Sequence, residues 1–209
     1  VFAFITAGIS GVSVLYNKLF TTGLADPLTF NILKNGTAAL FITLLLIQSG
    51  KLRQLTNCSL QQWKKLILIG FVGGSIPFVL FFTGLAMIPA ANAAFLHKTL
   101  FLWVALFAVP VLKEKLSPAQ IAGFALIAAS SLAFGFSGLS WSTGEFFVLG
   151  ATLLWAIEQI IAKIALQDID SSVVSWARMS IGSVILLAIL ISRGGVGLLV
   201  SVPLPGLMA

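Results

Sequence analysis

"AFLHKTLFLWVALFAVPVLKEKLSPAQ", residues 94–120, decides the fold. From Leu100 to Leu112 it carries no polar side chain other than the Trp103 indole, and with the residues before it the run reaches the roughly 20 residues that cross a bilayer. Lys113, Glu114 and Lys115 then interrupt it. Ser117-Pro118-Ala119-Gln120 follows with a capping hydroxyl, proline at the first helical position and Gln at the third, the signature of a helix start. One stretch thus holds the end of one span, a charged turn and the opening of the next.

The same pattern repeats outward in both directions. Apolar runs lie at about 2–20, 28–49, 66–87, 92–112, 118–137, 145–165 and 172–192. The chain of 209 residues is 59% hydrophobic and 9% charged, with mean hydropathy +1.10, too apolar to cover a soluble surface. The runs are long and apolar on all sides, unlike the short alternating strands of a membrane barrel. The fold class expected is an all-α integral membrane protein with about seven transmembrane helices. The first run lacks a basic leader and a cleavage motif, so it reads as a span and not as a signal peptide. Val1 lies inside that run, and the Gly- and Pro-rich 194–209 tail is too short for another span. The expectation is a piece of a longer chain. Cys58 is the single cysteine, which excludes an internal disulfide.

Lys51, Arg53, Lys64 and Lys65 fall in the 50–65 connection, whereas "MIPAAN" (87–92) carries no charge. The positive-inside rule puts 50–65 in the cytoplasm and, alternating, 113–117 as well, with 136–144 outside. A multi-pass protein of the plasma membrane is expected. The net charge of +6 is then a topology signal met by lipid headgroups, with no nucleic-acid patch.

Setting 25–46 over 169–190 aligns Asp26 with Asp170 and Lys34 with Arg178, an offset of 170 − 26 = 144. Pro27, Asn31, Lys34 and Ala38 share one helix face, and Ser171, Ser175, Arg178 and Gly182 repeat the spacing. Lys18 and Lys163, in the preceding spans, also correspond if one residue of the connection is dropped. Five helices separate the copies, so they run in opposite directions: an inverted repeat.

"GLAMIPAANAAFL" (84–96), "LKEKLSPAQIAGFALI" (112–127) and "GEFFVLGATLLWAIEQIIAK" (144–163) resemble the EamA domain of the drug/metabolite transporter superfamily. Its first repeat has an alanine-rich fourth helix, then Glu-(Lys/Arg)-x-Ser, Gln and Gly, matched here by Glu114, Lys115, Ser117, Gln120 and Gly123; the third stretch is similar to the sixth helix. The resemblance implies a ten-helix fold of two inverted five-helix repeats working by alternating access. Residues 1–137 would be the first repeat, 144–193 the first two helices of the second, and 194–209 an incomplete tail. The chain departs from that family in lacking a proline near Leu100 or Phe101, and in placing His97 and Lys98 where relatives have apolar or small residues.

Charges at bilayer depth cost at least about 2.5–3.5 kcal/mol each and need partners. At 1.5 Å per residue, Glu158 and Arg178 both lie roughly 10 Å above the inner ends of their helices. An ion pair is expected between them, with Gln159 and Ser175 as contributors. Lys34 and Lys98 lie roughly 9–10 Å below the outer ends. Three partners fit those two lysines: an acid on a further helix, snorkelling to headgroups, or an anionic substrate. His97 and Lys98 are about 100° apart on their helix, so only one aims into a path. Trp155 shares a face with Ala151, Glu158 and Ala162. The transport-path candidates are Asn31, Lys34, His97, Lys98, Trp155, Glu158, Gln159, Ser175 and Arg178.

The seventh span has Arg178 and no lysine for a retinal Schiff base. With one His and one Cys, no HExxH and no GxxxxGK[ST], neither a conventional metal site nor an ATP-driven pump is expected. The expected function is a secondary-active permease of small organic metabolites or drugs, not an enzyme and without a cofactor, with an anionic substrate and proton coupling as finer expectations. A non-transporting scaffold or channel and a membrane-embedded enzyme are the alternatives. Partners are the small-molecule substrate and lipids, as a monomer or homodimer.

Overall fold

The computed structural model describes residues 5, 27–113, 115–133, 138 and 140–195; all of them that form regular structure are helical. The first run, Lys18, Asp26, Glu114 and the end of the tail lie outside the described residues.

The helices are α1 Pro27–Gln48, α2 Leu52–Thr56, α3 Leu60–Gly74, α4 Ile76–Met87, α5 Ala90–Lys98, α6 Leu100–Leu112, α7 Pro118–Ala133, α8 Thr143–Ala165 and α9 Ser171–Ser192. Among the described residues five stretches are long and apolar enough to cross a membrane: Leu28–Gln48, Leu60–Met87, Ala90–Leu112, Thr143–Ala165 and Ser171–Ser192. A shorter apolar helix covers Pro118–Ser130. The chain is a multi-pass membrane protein.

Local chemistry sets the boundaries. Gly50, at φ +68, turns the chain out of α1. Most of the expected 50–65 loop is helical, because Ser59 and Gln62 cap each other and start α3 six residues before the apolar run (Gln62 N to Ser59 Oγ 3.3 Å, Ser59 N to Gln62 Oε1 2.8 Å). Ser117 and Gln120 form the expected box ahead of α7, at 3.2 and 2.8 Å. Two runs expected as single helices are broken. One breaks at Ser75, between α3 and α4. The other breaks at Thr99, whose N–H is shared between the Phe95 and Leu96 carbonyls.

Glycine decides the packing. α3 runs between α8 and α9, and Gly70 and Gly74 face α9 while Gly73 faces α8. A Cβ on Gly182 would lie 2.5 Å from the Gly74 carbonyl oxygen, so those two backbones are in direct contact. α8 also packs on α4, α5 and α6, and α9 lies along α1. α1 and α9 are antiparallel: Leu28 and Ile32 cluster with Leu186 and Leu190 at one end, while at the other Trp176 Nε1 donates to Thr43 Oγ1 at 3.0 Å. Each has 22 residues, and both ends are shifted by 171 − 27 = 192 − 48 = 144, the offset of the sequence comparison. Leu40, Phe41, Leu44 and Leu45 of α1 are exposed, as lipid-facing side chains are.

Candidate functional site

The break between α3 and α4 leaves two carbonyls without helical partners. Pro77 has no N–H to return to Gly73, and the Phe78 N–H turns to Ser75 O at 3.0 Å, releasing Gly74 O. An unsatisfied carbonyl in the hydrocarbon costs several kcal/mol. Two other helices supply the missing donors: Trp155 Nε1 of α8 donates to Gly73 O at 3.2 Å, and Asn35 Nδ2 of α1 donates to Gly74 O at 3.3 Å. Ser75 Oγ turns back to Phe71 O at 2.8 Å.

Glu158 lies against this break and is 2% exposed. A Cβ on Gly73 would come within 2.7 Å of the Glu158 carboxyl carbon, so the missing side chain is the space the carboxylate occupies. Glu158 Oε2 accepts from Gln159 Nε2 at 3.2 Å. The expected ion pair is present, with Arg178 Nη2 3.8 Å from Glu158 Oε2, a separation that is electrostatic and too long for a hydrogen bond. The Arg178 side chain keeps 28% exposure, while its Nε is buried and has no hydrogen-bond partner among the described residues.

A second group adjoins the first through Trp155. The His97 ring packs on Trp155 and Phe81 with centroids 4.9 and 5.3 Å apart, and Phe78 meets Trp155 edge-on at 5.3 Å. Lys34 Nζ lies 5.1 Å from the Phe78 ring centre and 5.9 Å from that of Phe30, a cation over aromatic faces. The helices that carry Lys34 and Arg178 meet at Gly74, whose carbonyl accepts from Asn35 and whose Cα packs against the Arg178 backbone.

Of the residues singled out in the sequence, Lys34, His97, Trp155, Glu158, Gln159 and Arg178 belong to this contact chain. Asn31 is buried one turn before Asn35 on α1. Lys98 is exposed: the 100° step that aims His97 at Trp155 turns Lys98 away from it, so of the adjacent pair it is His97 that joins the contact chain. Ser175 is exposed too and does not contribute to the Glu158 pair. Sequence reasoning missed Gly73, Asn35, Phe78 and Phe81. "GGSIP" (73–77), two glycines and a proline in mid-span, was the available signal for the break. Among the described residues no three His, Cys, Asp or Glu side chains lie together as metal ligands would.

Polar contacts tie both ends of the bundle. At one end Lys51 Nζ meets Asp170 Oδ2 at 2.6 Å, Lys65 meets Asp168 at 3.0 Å, and Gln62 Nε2 donates to Asp168 O at 3.0 Å. The Lys51 ammonium and the Ser172 N–H hold the Asp170 carboxyl below the usual carboxylate range, and burial with the nearby Asp168 charge pushes the Cys58 thiol up. At the opposite end Glu145 accepts from Ser142 N at 2.7 Å, from Ser140 N at 3.1 Å and from Asn92 Nδ2 at 3.4 Å.

Comparison with known proteins agrees with this architecture: residues 1–136 match the EamA-like transporter family. The chain belongs to the EamA-like transporter family. An uncharacterized transporter of Methanothermobacter thermautotrophicus is 26% identical over 136 residues, which cover 62% of this chain and 40% of that protein. This EamA-like chain thus spans less than half the length of the curated relative it matches. No solved structure matches it.

Proposed function

We propose that this chain is part of a secondary-active permease that moves small organic metabolites by alternating access, with its substrate site at the α3–α4 break. The observation that carries the reading is Glu158, a carboxylate 2% exposed in mid-span, seated on a broken helix and facing Arg178. Broken helices and ionisable side chains at mid-depth are how carriers build substrate sites within a bilayer. Two cations against one carboxylate in this contact chain favour an anionic substrate.

The repeat assignment, 1–137 followed by 144–193, draws support from the equal lengths, common offset and antiparallel packing of α1 and α9. The lysine-bearing 50–65 segment and 113–117 are proposed to face the cytoplasm of a plasma-membrane protein, together with 166–170, to which ion pairs join the first.

The test is counterflow in liposomes carrying the full-length protein. Folded protein that moves no compound from a panel of organic acids, amides and amines ends the permease reading and leaves a scaffold. Proton coupling is assigned to Glu158. Glu158→Gln is expected to abolish the dependence of uptake on a pH gradient while the protein stays folded, and unchanged pH-driven uptake by that variant removes Glu158 from the coupling.

A further inference from the structure

We infer that the anion recognised at this site is a small organic monocarboxylate, bound between Lys34 Nζ and the unoccupied Nε edge of Arg178 while Glu158 remains on the Nη2 side. This assignment deepens the proposed transport role and rests on it.

Charge balance comes first. Lys34 and Arg178 each bring one positive charge and Glu158 one negative. Among the described residues the cluster holds one uncompensated positive charge in a region where net charge is expensive. The rings of Phe78 and Phe30 offset part of the Lys34 charge through their quadrupoles, but they supply no counter-ion. One bound negative charge restores neutrality. A dicarboxylate overshoots, and so does a phosphate monoester, which carries about −1.5 to −2 at neutral pH. A neutral amide leaves the charge unmet, and an amine adds to it.

Geometry points the same way. A guanidinium offers five N–H donors in a planar fork suited to carboxylates. Arg178 turns Nη2 to the Glu158 carboxylate at 3.8 Å, while its Nε is buried and bonded to nothing among the described residues. Desolvated donors without acceptors are costly, and a carboxylate on that edge would satisfy Nε and set a negative charge between the two cations, whose helices meet at Gly74. Carboxylate is the group Arg178 already meets, so a second one on its other edge introduces no new recognition chemistry.

The experiment titrates the full-length protein in detergent with a series from acetate to benzoate, each acid against its own amide, together with succinate, phthalate and phenyl phosphate, and follows tryptophan fluorescence and thermal stability. Members of the monocarboxylate series are expected to bind while their amides, the dicarboxylates and the phosphate do not. Lys34→Gln, which breaks no ion pair, and Arg178→Lys, which keeps a cation facing Glu158 but removes Nε, are each expected to weaken binding by about tenfold or more. Amides binding as tightly as their acids, a preference for dianions, or unchanged affinity in both variants overturns the assignment. Counterflow separates the two levels. Movement of neutral or cationic compounds without movement of monocarboxylates removes the substrate class and leaves the permease, whereas monocarboxylate binding without movement of any compound leaves the site and removes transport.

Discussion

Lys34 and Arg178 are each the eighth residue of a 22-residue helix, in two helices that lie antiparallel and are shifted by one common offset, yet the protein treats the two cations differently. Among the described residues Arg178 has a carboxylate from α8, whereas Lys34 has only aromatic faces. The difference is already present in the sequence that precedes them. Aligning Lys18 with Lys163 puts Ser13 in the place of Glu158, so the first half keeps the cation and lacks the acid. Symmetry in backbone placement is therefore combined with asymmetry in charge, and that asymmetry gives the cluster its net positive sign.

Three perturbations break or sharpen this contrast. Arg178→Leu strands Glu158 as a buried charge and should cost about 3–5 kcal/mol, whereas Lys34→Met removes a cation with no counter-ion among the described residues and should stay within about 1 kcal/mol. Unfolding midpoints of the two variants in detergent make the comparison, and equal losses would remove the distinction. Gly73→Ala puts a methyl group into the space of the Glu158 side chain and should cost about 1–3 kcal/mol. It would also displace the carboxylate from Arg178, so that added Arg178→Leu costs less than it does alone in a double-mutant cycle.

The smallest effect is expected at Asp170, which caps α9 and binds Lys51. Asp170→Ala should cost about 1 kcal/mol. Because the folded protein holds this carboxyl below its unfolded value, the contribution is full above about pH 4 and lost as the pH falls through the lowered value. Wild type should therefore lose more stability than the variant between neutral pH and pH 3.

Hydropathy made the helical membrane fold legible because every backbone group in lipid must be satisfied within its own segment. Depth counting brought Glu158 to Arg178, since 1.5 Å per residue is a reliable ruler along a helix. Azimuth was harder: the sequence showed that His97 and Lys98 could not both face inward, but not which one did. The break at Thr99 has neither glycine nor proline to announce it. Phe78 and Phe81 are two of 17 phenylalanines, and only packing separates the two that touch Trp155 or His97 from those that face lipid.

The two carbonyls released at Gly73 and Gly74 are held by α8 and α1, not by their own helix. The joint at Ser75 is consequently fastened to both sides of the bundle. If α4 swings about it, the two carbonyls stay with α3, whose end remains tied to α8 through Trp155 and to α1 through Asn35, so the joint would turn against an anchor shared by both halves of the chain.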